Sequence, residues 1–357
     1  MYPRLTINLK KLRHNAITLC EMAQTRGIAE LAFVTKVFCA DEQMVRVLQD
    51  TPCRYLADSR IENLARYPES DKLRILLRLP MISQADDVVR CSDISCNSEL
   101  ATLQALSKAA EKQGKQHKIV LMIDLGDLRE GIFFEDTEKI LQTAKAVEQD
   151  KNLVLYGAAF NVTCYGSVLP TQENIGRFLE LVGRIEETVG HKLTFISGGN
   201  SSSVPLLLQG EKNFPKINNL RLGESLILGR ETAYGQDLQD MYQDAVVLEA
   251  ELVEVQEKPS YPIGEIGVNA FGEHAEYTDI GIRTRAIAAI GRQDMDCDAL
   301  TPLEGGVCVV GASSDHLILD ITDSENLQVG SVVRFALSYG GMLRGFTSAY
   351  LHREYIE

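Results

Sequence analysis

Eight short apolar runs, separated by segments with helical signals, recur through the first 235 residues of this 357-residue chain. Each run is almost continuously apolar, as expected of parallel strands that are covered on both faces. The runs are LAFVTK, RYLADS, KLRILLRLP, DISCN, KIVLMIDLG, LYGAAFNVT, LTFISGG and NNLRLG. Eight strand–helix units in about 225 residues match the usual size of a (β/α)8 barrel. A doubly wound open sheet is the rival, because the pattern alone does not show closure.

Two of the intervening segments carry helix start signals. Asn97-Ser98-Glu99 precedes an apolar stripe that begins at Leu100, and Thr171-Gln172-Glu173 precedes a second stripe. Asn, Ser and Thr are favoured N-cap residues because their side chains accept hydrogen bonds from free N–H groups of the first turn. Both stripes are therefore predicted to be helices of the barrel.

The pattern changes after about Gly235, where helical periods give way to β-rich runs between turn signals. These runs are AVVLEAELVEV, RAIAAIG, VCVVGA, HLILDIT and SVVRFAL. A chain of this length also exceeds what one hydrophobic core usually supports. We therefore predict an α/β protein with two domains, a (β/α)8 barrel over residues 1–235 and a C-terminal all-β domain over residues 236–357.

Composition excludes several classes of partner. The net charge of −14 and the lack of a basic stripe argue against binding of nucleic acid. No apolar run reaches the roughly 18 residues that a membrane span needs. The start, MYPRLTINLKKLRHNA, lacks the apolar stretch of a secretory signal, so a cytoplasmic protein is expected. The eight cysteines form no CxxC pair and the six histidines no HxH pair, so no protein-bound metal is predicted.

In a barrel, functional side chains gather at the carboxyl ends of the strands, and Lys36 ends the first one. Such a lysine either extends its amine to the rim or is desolvated, with a pKa lowered enough to form a Schiff base. The seventh strand ends in Gly198-Gly199-Asn200-Ser201-Ser202-Ser203, which offers hydroxyl and backbone N–H groups to an anion. A serine N-cap after a tight turn is the simpler explanation of that segment. A lysine and a phosphate cradle together favour pyridoxal 5′-phosphate (PLP) as cofactor.

Arg221, at the end of the eighth strand, supplies a third element. An arginine that donates to the pyridine nitrogen keeps this nitrogen unprotonated, which makes the ring a weaker electron sink and favours racemisation over transamination. An ion pair between Arg221 and Glu224 at the rim is the alternative.

With these elements in place, the chain resembles the alanine racemase group of fold-type III PLP enzymes, and within it the alanine/ornithine racemase branch. The resemblance spans nearly the whole chain. It rests on segments that include YPRLTINLKKLRHNA, VTKVFC, YLADSRIENL, LMIDLGDLREGIF, NVTCYG, ISGGNSSS, NNLRLGESLILGRETAYG, PIGEIGVNAFG and GASSDHLILDIT.

The resemblance implies a role for individual residues. Lys36 resembles the lysine that binds the cofactor and acts as one of two catalytic bases, and Arg129 the arginine beside the phenolic oxygen and the substrate carboxylate. Phosphate and ring contacts are implied for Asn200, Ser201, Arg221, Gly223, Glu224 and Tyr350 (or Tyr355). Ser314 and Asp315 match a pair that reaches the substrate from the partner subunit, so a head-to-tail homodimer is implied.

The sequence also departs from the family pattern. Val37-Phe38-Cys39-Ala40 follows the lysine without the family's phosphate-binding tyrosine, and Asn161 replaces the histidine under the pyridine ring. The segment that should carry the second catalytic tyrosine reads Pro262-Ile263-Gly264-Glu265. Because a racemase protonates Cα from both faces, a second group is needed, and Tyr165, Cys164 and Glu265 are the candidates.

These departures favour a substrate other than alanine. A carboxylate from Glu265, Asp294 or Asp315 would pair with a second ammonium group and would be left unpaired by alanine. The hypothesis is a racemase of ornithine, with alanine, lysine or serine as other substrates. A D-amino-acid dehydratase or aldolase, a non-catalytic PLP-homeostasis protein, and a PLP-free sugar-phosphate barrel enzyme that uses Lys36 as an aldolase lysine are further alternatives.

Overall fold

The structure is a computed structural model that describes residues 1–28, 30–210, 214–274 and 276–357. In chain order the strands are β1 (Arg4–Asn8), β2 (Ala32–Val34), β3 (Tyr55–Asp58), β4 (Leu73–Leu76), β5 (Ile94–Asn97), β6 (His117–Asp124), β7 (Ile132–Phe133), β8 (Leu153–Phe160), β9 (Phe195–Ser197), β10 (Arg221–Leu222), β11 (Val246–Pro259), β12 (Ile282–Ala288), β13 (Leu300–Pro302), β14 (Cys308–Ala312), β15 (Leu317–Asp320), β16 (Val332–Leu337) and β17 (His352–Ile356). The helices are α1 (Leu9–Thr25), α2 (Glu42–Gln49), α3 (Ile61–Leu64), α4 (Ala85–Cys91), α5 (Leu100–Lys112), α6 (Thr137–Glu148), α7 (Gln172–Val189), α8 (Glu224–Leu228) and α9 (Tyr339–Thr347).

The chain divides into two compact units, which are Lys11–Gln243 and a second unit of Met1–Lys10 with Asp244–Glu357. This division falls later than the predicted boundary at residues 235/236, and it assigns the first ten residues to the C-terminal unit. The physical reason is strand pairing, since β1 pairs antiparallel with β11 and parallel with β17.

The unit Lys11–Gln243 contains the predicted parallel barrel. Its main strands lie in the order β10, β2, β3, β4, β5, β6, β8, β9, and every neighbouring pair is parallel. A parallel bridge between Ser197 and Asn219 links the last strand to the first, with Gly198 N donating to Asn219 O at 2.9 Å. This closure confirms the (β/α)8 barrel over the open sheet.

The barrel interior is packed with apolar side chains, in agreement with the continuous apolar runs. β2, β3 and β5 are buried along their whole length, as expected where helices cover the outer face. The interior cluster comprises Ala32, Val34, Tyr55, Ala57, Ile75, Ile94, Cys96, Val120, Met122, Ala159 and Phe195. Gly157 is required where two strands approach, because an added Cβ would lie 1.9 Å from the carbonyl oxygen of Phe195.

Both predicted barrel helices form, but only one uses the predicted cap. The Thr171 side chain accepts from Asn174 N, and the Asn174 side chain accepts in return from the Thr171 backbone, so α7 begins with a capping box. The N-cap of α5 is Glu99, and its side chain makes no capping hydrogen bond. The prediction of a capping side chain was wrong there, because Asn97 instead donates to Ser95 O at 2.9 Å on its own strand.

The C-terminal unit is built around a mainly antiparallel sheet of eight strands, as counted over the described residues, in which β1 and β17 pair in parallel. Its path runs β13, β16, β11, β12, β15, β14. β1 joins this path by pairing with β11, and β17 pairs with β1. All five predicted β-rich runs form strands, whereas β1, β13, β17 and helix α9 were not predicted. Within the described part of the chain, no helix is both long enough and apolar enough to cross a membrane.

Candidate active site

Lys36 lies at the mouth of the barrel, at the start of a 3-10 turn that follows β2 directly. It is half-buried, and its ammonium group interacts electrostatically with the Cys164 thiol and the Glu224 carboxylate. The turn ends with two successive non-glycine residues at positive φ, 51° at Cys39 and 53° at Ala40. Because side chains rarely adopt this conformation, the backbone around the lysine must be held by its surroundings.

Buried polar contacts hold that turn at Thr35, the residue that precedes Lys36. Thr35 Oγ1 donates to Asp58 Oδ2 at 2.6 Å and accepts from the Tyr67 hydroxyl at 2.5 Å. Asp58 also accepts from Asn63 Nδ2 at 3.0 Å, and burial raises the pKa of its carboxyl group. Sequence reasoning missed this cluster. The signal was a carboxylate at the end of a fully apolar strand, in YLADSRIEN.

The turns after β9 and β10 carry the residues that were predicted to bind a phosphate group, and a hydrogen bond joins the two turns. Asn200 Oδ1 accepts from Ser202 N at 2.8 Å, and Ser201 Oγ accepts from Ser225 N at 3.1 Å, which ties the two turns together. The hydroxyl groups of Ser203 and Ser225 are buried and have no hydrogen-bond partner among the described residues. Buried hydroxyl groups without a partner are costly, so these turns suit a polar ligand such as a phosphate group.

Gly223 and Glu224 lie where β10 leads into α8. Gly223 is the N-cap residue of α8, and an added Cβ would lie 3.2 Å from Val34 Cβ. Glu224 is half-buried; desolvation raises the pKa of its carboxyl group, although Arg230 and Lys36 oppose the shift.

Arg221 is buried in the barrel, with 4% of its surface exposed. Its Nε donates to Ser197 Oγ at 3.1 Å, and its Nη2 donates to Asn161 Oδ1 at 3.0 Å and to the carbonyl oxygen of Phe160. Desolvation lowers the pKa of the guanidinium group. Among the described contacts Arg221 has no ion pair with Glu224, so the alternative of a rim ion pair is not observed.

Arg129 and Asn161 meet at Glu130. The Arg129 guanidinium forms an ion pair with Glu130, and Arg129 Nη2 donates to Glu130 Oε1 at 2.6 Å. Asn161 Nδ2 donates to the same oxygen at 2.6 Å. The close packing of this segment requires a glycine at position 131. Gly131 has a φ of +121°, and an added Cβ would lie 2.5 Å from the backbone nitrogen of Asp124. Glu130 was not predicted as a site residue.

The loop after β8, residues 163–168, carries two candidates for the second base and is organised by Asp127. The buried Asp127 carboxylate accepts from the backbone N–H groups of Thr163, Cys164, Tyr165 and Val168. Cys164 and Tyr165 are both exposed, Tyr165 to 74%, and Cys164 Sγ accepts from Asn200 Nδ2 at 3.1 Å. Desolvation of the sulfur raises the pKa of Cys164, although Arg129 and Lys36 oppose the shift.

The structure therefore brings most of the predicted barrel residues together in one unit. Direct contacts or electrostatic interactions connect Lys36, Arg129, Asn161, Cys164, Asn200 and Arg221. Ser201 joins through the neighbouring turn.

The remaining predicted residues lie in the other unit and are described within it. Glu265 is exposed, and Tyr350 is 63% exposed. Ser314 and Asp315 occupy an exposed turn, where the neighbouring His316 holds the pKa of the Asp315 carboxyl below its usual value. Asp294 is buried and accepts from Ser348 Oγ at 2.5 Å. The roles predicted for these five residues remain predictions.

No group of three potential metal ligands occurs among the described residues.

Comparison with known proteins agrees with this geometry. The model of the alanine racemase N-terminal domain family matches residues 7–231. Ornithine racemase of Acetoanaerobium sticklandii is 45% identical over 99% of both chains, and lysine racemase of Thermotoga maritima is 37% identical over 99% of both chains. Alanine racemase of Bartonella henselae, whose structure holds covalently bound pyridoxal phosphate, shares the fold with a TM-score of 0.74 at 17% identity, over 99% of both chains. Since the match extends over the barrel and over full-length racemases, the chain belongs to the alanine racemase family.

Proposed function

We propose that this racemase binds pyridoxal 5′-phosphate on the Nζ of Lys36 and interconverts the enantiomers of ornithine. The observation that carries the proposal is the meeting of three groups at one barrel mouth: the Lys36 amine, the hydroxyl groups of the last two turns that have no partner among the described residues, and the buried Arg221 guanidinium. The cofactor, when bound, supplies an electron-withdrawing ring that acidifies the Cα–H bond of the amino acid.

In this proposal each residue has a separate task. Ser201 and the backbone around Gly223 and Glu224 hold the phosphate, and Arg221 donates to the ring nitrogen. Arg129 receives the substrate carboxylate. The Lys36 amine removes or returns the Cα proton on one face of the substrate.

The opposite face needs a second proton donor, for which we propose Cys164. Its sulfur interacts electrostatically with Lys36, and desolvation raises the pKa of the thiol, so it carries a proton to give. Cys164 is exposed, as is Tyr165, but the Cys164 sulfur accepts from Asn200 Nδ2 at 3.1 Å. The described contacts include no such hydrogen bond from the Tyr165 side chain, and Glu265 lies in the other unit.

Variants of the two bases test these roles separately. After borohydride reduction, peptide mass spectrometry is expected to find the cofactor on Lys36. Lys36→Ala is expected to lose it and to lose activity on both enantiomers. Cys164→Ala should keep the cofactor but exchange the Cα hydrogen of one enantiomer much more slowly than that of the other. Equal exchange of both enantiomers in heavy water by Cys164→Ala, at the rate of the unaltered enzyme, would exclude Cys164.

Ornithine is proposed from the two racemase relatives and from the acidic residues predicted near the substrate. The comparison of kcat/KM for L-ornithine, L-lysine, L-alanine and L-serine tests it. A preference for alanine would contradict the proposal. A non-catalytic PLP-homeostasis protein would be yellow and exchange no Cα hydrogen.

We further propose that the active protein is a head-to-tail homodimer in which the C-terminal unit of one subunit, with Ser314, Asp315 and Tyr350, completes the site of its partner. A mixture of inactive Lys36→Ala and inactive Asp315→Ala subunits tests this. In a head-to-tail dimer, one of the two sites of each mixed dimer is intact, so re-assembly should restore about a quarter of the activity. Failure to restore activity despite mixed-dimer formation would refute a shared site.

A further inference from the structure

Glu130 lies between Arg129 and Arg221, the two arginines that contact the cofactor in the proposed function. Glu130 Oε1 accepts from Arg129 Nη2 and from Asn161 Nδ2, both at 2.6 Å, and Asn161 Oδ1 accepts from Arg221 Nη2 at 3.0 Å. The chain of contacts thus runs from a guanidinium group through a carboxylate and an amide to a second guanidinium group. The Glu130 side chain is 17% exposed, so the carboxylate is largely shielded from water.

The polarity of this chain fixes the orientation of the central amide. A guanidinium group only donates hydrogen bonds and a carboxylate only accepts them. Asn161 therefore must turn its oxygen to Arg221 and its nitrogen to Glu130, and flipping the amide would break both contacts. Asn161 connects the two charged groups without adding a charge of its own.

Glu130 places a negative charge near the two positive charges of Arg129 and Arg221. Burial lowers the pKa of Arg221, and repulsion from Arg129 across the mouth lowers it further. The negative charge of Glu130 acts in the opposite direction on both guanidinium groups. Removing it would leave the buried Arg221 and the partly exposed Arg129 without the carboxylate that now offsets their repulsion.

We propose that Glu130 is a positioning residue that, through Asn161, couples Arg129 to Arg221 and holds both guanidinium groups in place for the cofactor. The inference rests on the proposed function, since it concerns the two arginines that would receive the phenolic oxygen, the substrate carboxylate and the ring nitrogen. Glu130 itself touches the arginine and the amide, and the roles at the ring belong to its partners.

Glu130→Gln separates charge from shape, because glutamine has nearly the same size and retains one acceptor oxygen. Glu135→Gln is the matched control, since Glu135 is an exposed carboxylate five positions along the chain. The first measurement is the absorbance of the bound cofactor as a function of pH. Ionisable groups that interact electrostatically with Glu130 are Arg129, Arg221, Cys96 and Cys164.

Loss of a nearby negative charge favours the deprotonated form of a cationic acid, so the midpoint of the absorbance titration should fall by about one pH unit in Glu130→Gln. Glu135→Gln should titrate like the unaltered protein. We expect kcat of Glu130→Gln to fall about 10-fold to 100-fold, because the arginines are no longer held in position. A titration midpoint of Glu130→Gln within roughly 0.2 pH units of the control would overturn the proposal, because a lost charge should shift the midpoint by much more.

The coupling through Asn161 is measured with a double-mutant cycle that needs no cofactor. Urea unfolding of the apoprotein is compared for Glu130→Gln, Asn161→Ala and the double variant. If the two residues act as one unit, the losses of stability should be clearly non-additive, whereas additive losses would overturn the coupling. If the unaltered protein does not carry the cofactor on Lys36, the proposed function fails, but the apoprotein cycle still decides whether Glu130 and Asn161 act together.

Discussion

The Asp127 carboxylate should decide whether the loop that carries Cys164 is ordered, and Asp127→Asn is the sharpest test. Oδ1 accepts from Thr163 N at 3.0 Å and Val168 N at 3.3 Å, and Oδ2 accepts from the N–H groups of Cys164 at 3.2 Å and Tyr165 at 3.0 Å. The substitution exchanges one of these oxygens for an NH2 group, which only donates. Two of the four N–H groups then lose their acceptor.

The expected magnitude follows from those two lost contacts. Leaving a buried donor unsatisfied costs about 1–3 kcal/mol. These N–H groups are only part-buried, so the lower end of that range applies and the loop should open more easily by about 2 kcal/mol. Since about 1.4 kcal/mol corresponds to a factor of ten, the amides of residues 163–168 should exchange with deuterium about 30-fold faster.

Hydrogen–deuterium exchange with peptide mass spectrometry measures this directly. The matched control is Asp71→Asn, which makes the same chemical change at an exposed position. Exchange in peptides from α7 reports on global unfolding and should change far less than exchange in the loop. If the loop amides of Asp127→Asn exchange at the rate of the unaltered protein, the carboxylate does not organise the loop and the reasoning is refuted.

Two further predictions concern the stability of the barrel. Burial lowers the pKa of His117 to about 3, so the unfolded chain takes up a proton that the folded protein does not, and the stability from this group is full above pH 6.5 and falls as the pH drops from 6.5 towards 3. Each pH unit in that range should lower the free energy of unfolding by up to about 1.4 kcal/mol. Between roughly pH 6 and pH 4, the free energy of unfolding of His117→Asn, measured in urea, should therefore fall less than that of the unaltered protein. Parallel pH profiles of the two proteins would contradict this prediction. Gly157→Ala should lower the melting temperature, because its Cβ would collide with the carbonyl oxygen of Phe195 and overpacking costs about 1–3 kcal/mol or more; an unchanged melting temperature would show that β8 and β9 separate easily.

The barrel was predictable because strands that are buried on both faces appear in the sequence as continuous apolar runs. The strands that were missed lack this signal. β17 reads HREYI and is mostly exposed, and β1 lies in a charged segment whose partner strand β11 is far away in the sequence. Pairing between such distant segments leaves little local trace, because either strand alone has one polar face.

The same distinction applies to the site. Lys36 and Arg221 could be predicted from their positions at the ends of apolar strands, where a charged side chain is out of place unless it has a function. Asp58, Asp127 and Glu130 also follow apolar strands, but their roles depend on which backbone and side-chain donors the fold brings to them. Apart from Arg129, the neighbour of Glu130 in the chain, the donors that matter here are distant in the sequence: Thr35 for Asp58, the loop after β8 for Asp127 and Asn161 for Glu130. Only the folded chain therefore identifies these carboxylates as acceptors.

The pairing of β1 with β11 and β17 has a consequence for the order in which the protein assembles. During synthesis Arg4 leaves the ribosome long before Glu249 and His352, the residues opposite it in the sheet. β1 therefore remains unpaired while residues 11–243 emerge, and these residues can complete the barrel before β11 and β17 are available. The C-terminal sheet is then the last part to close, and a chain that stalls or is truncated before residue 352 leaves one edge of β1 without its neighbour.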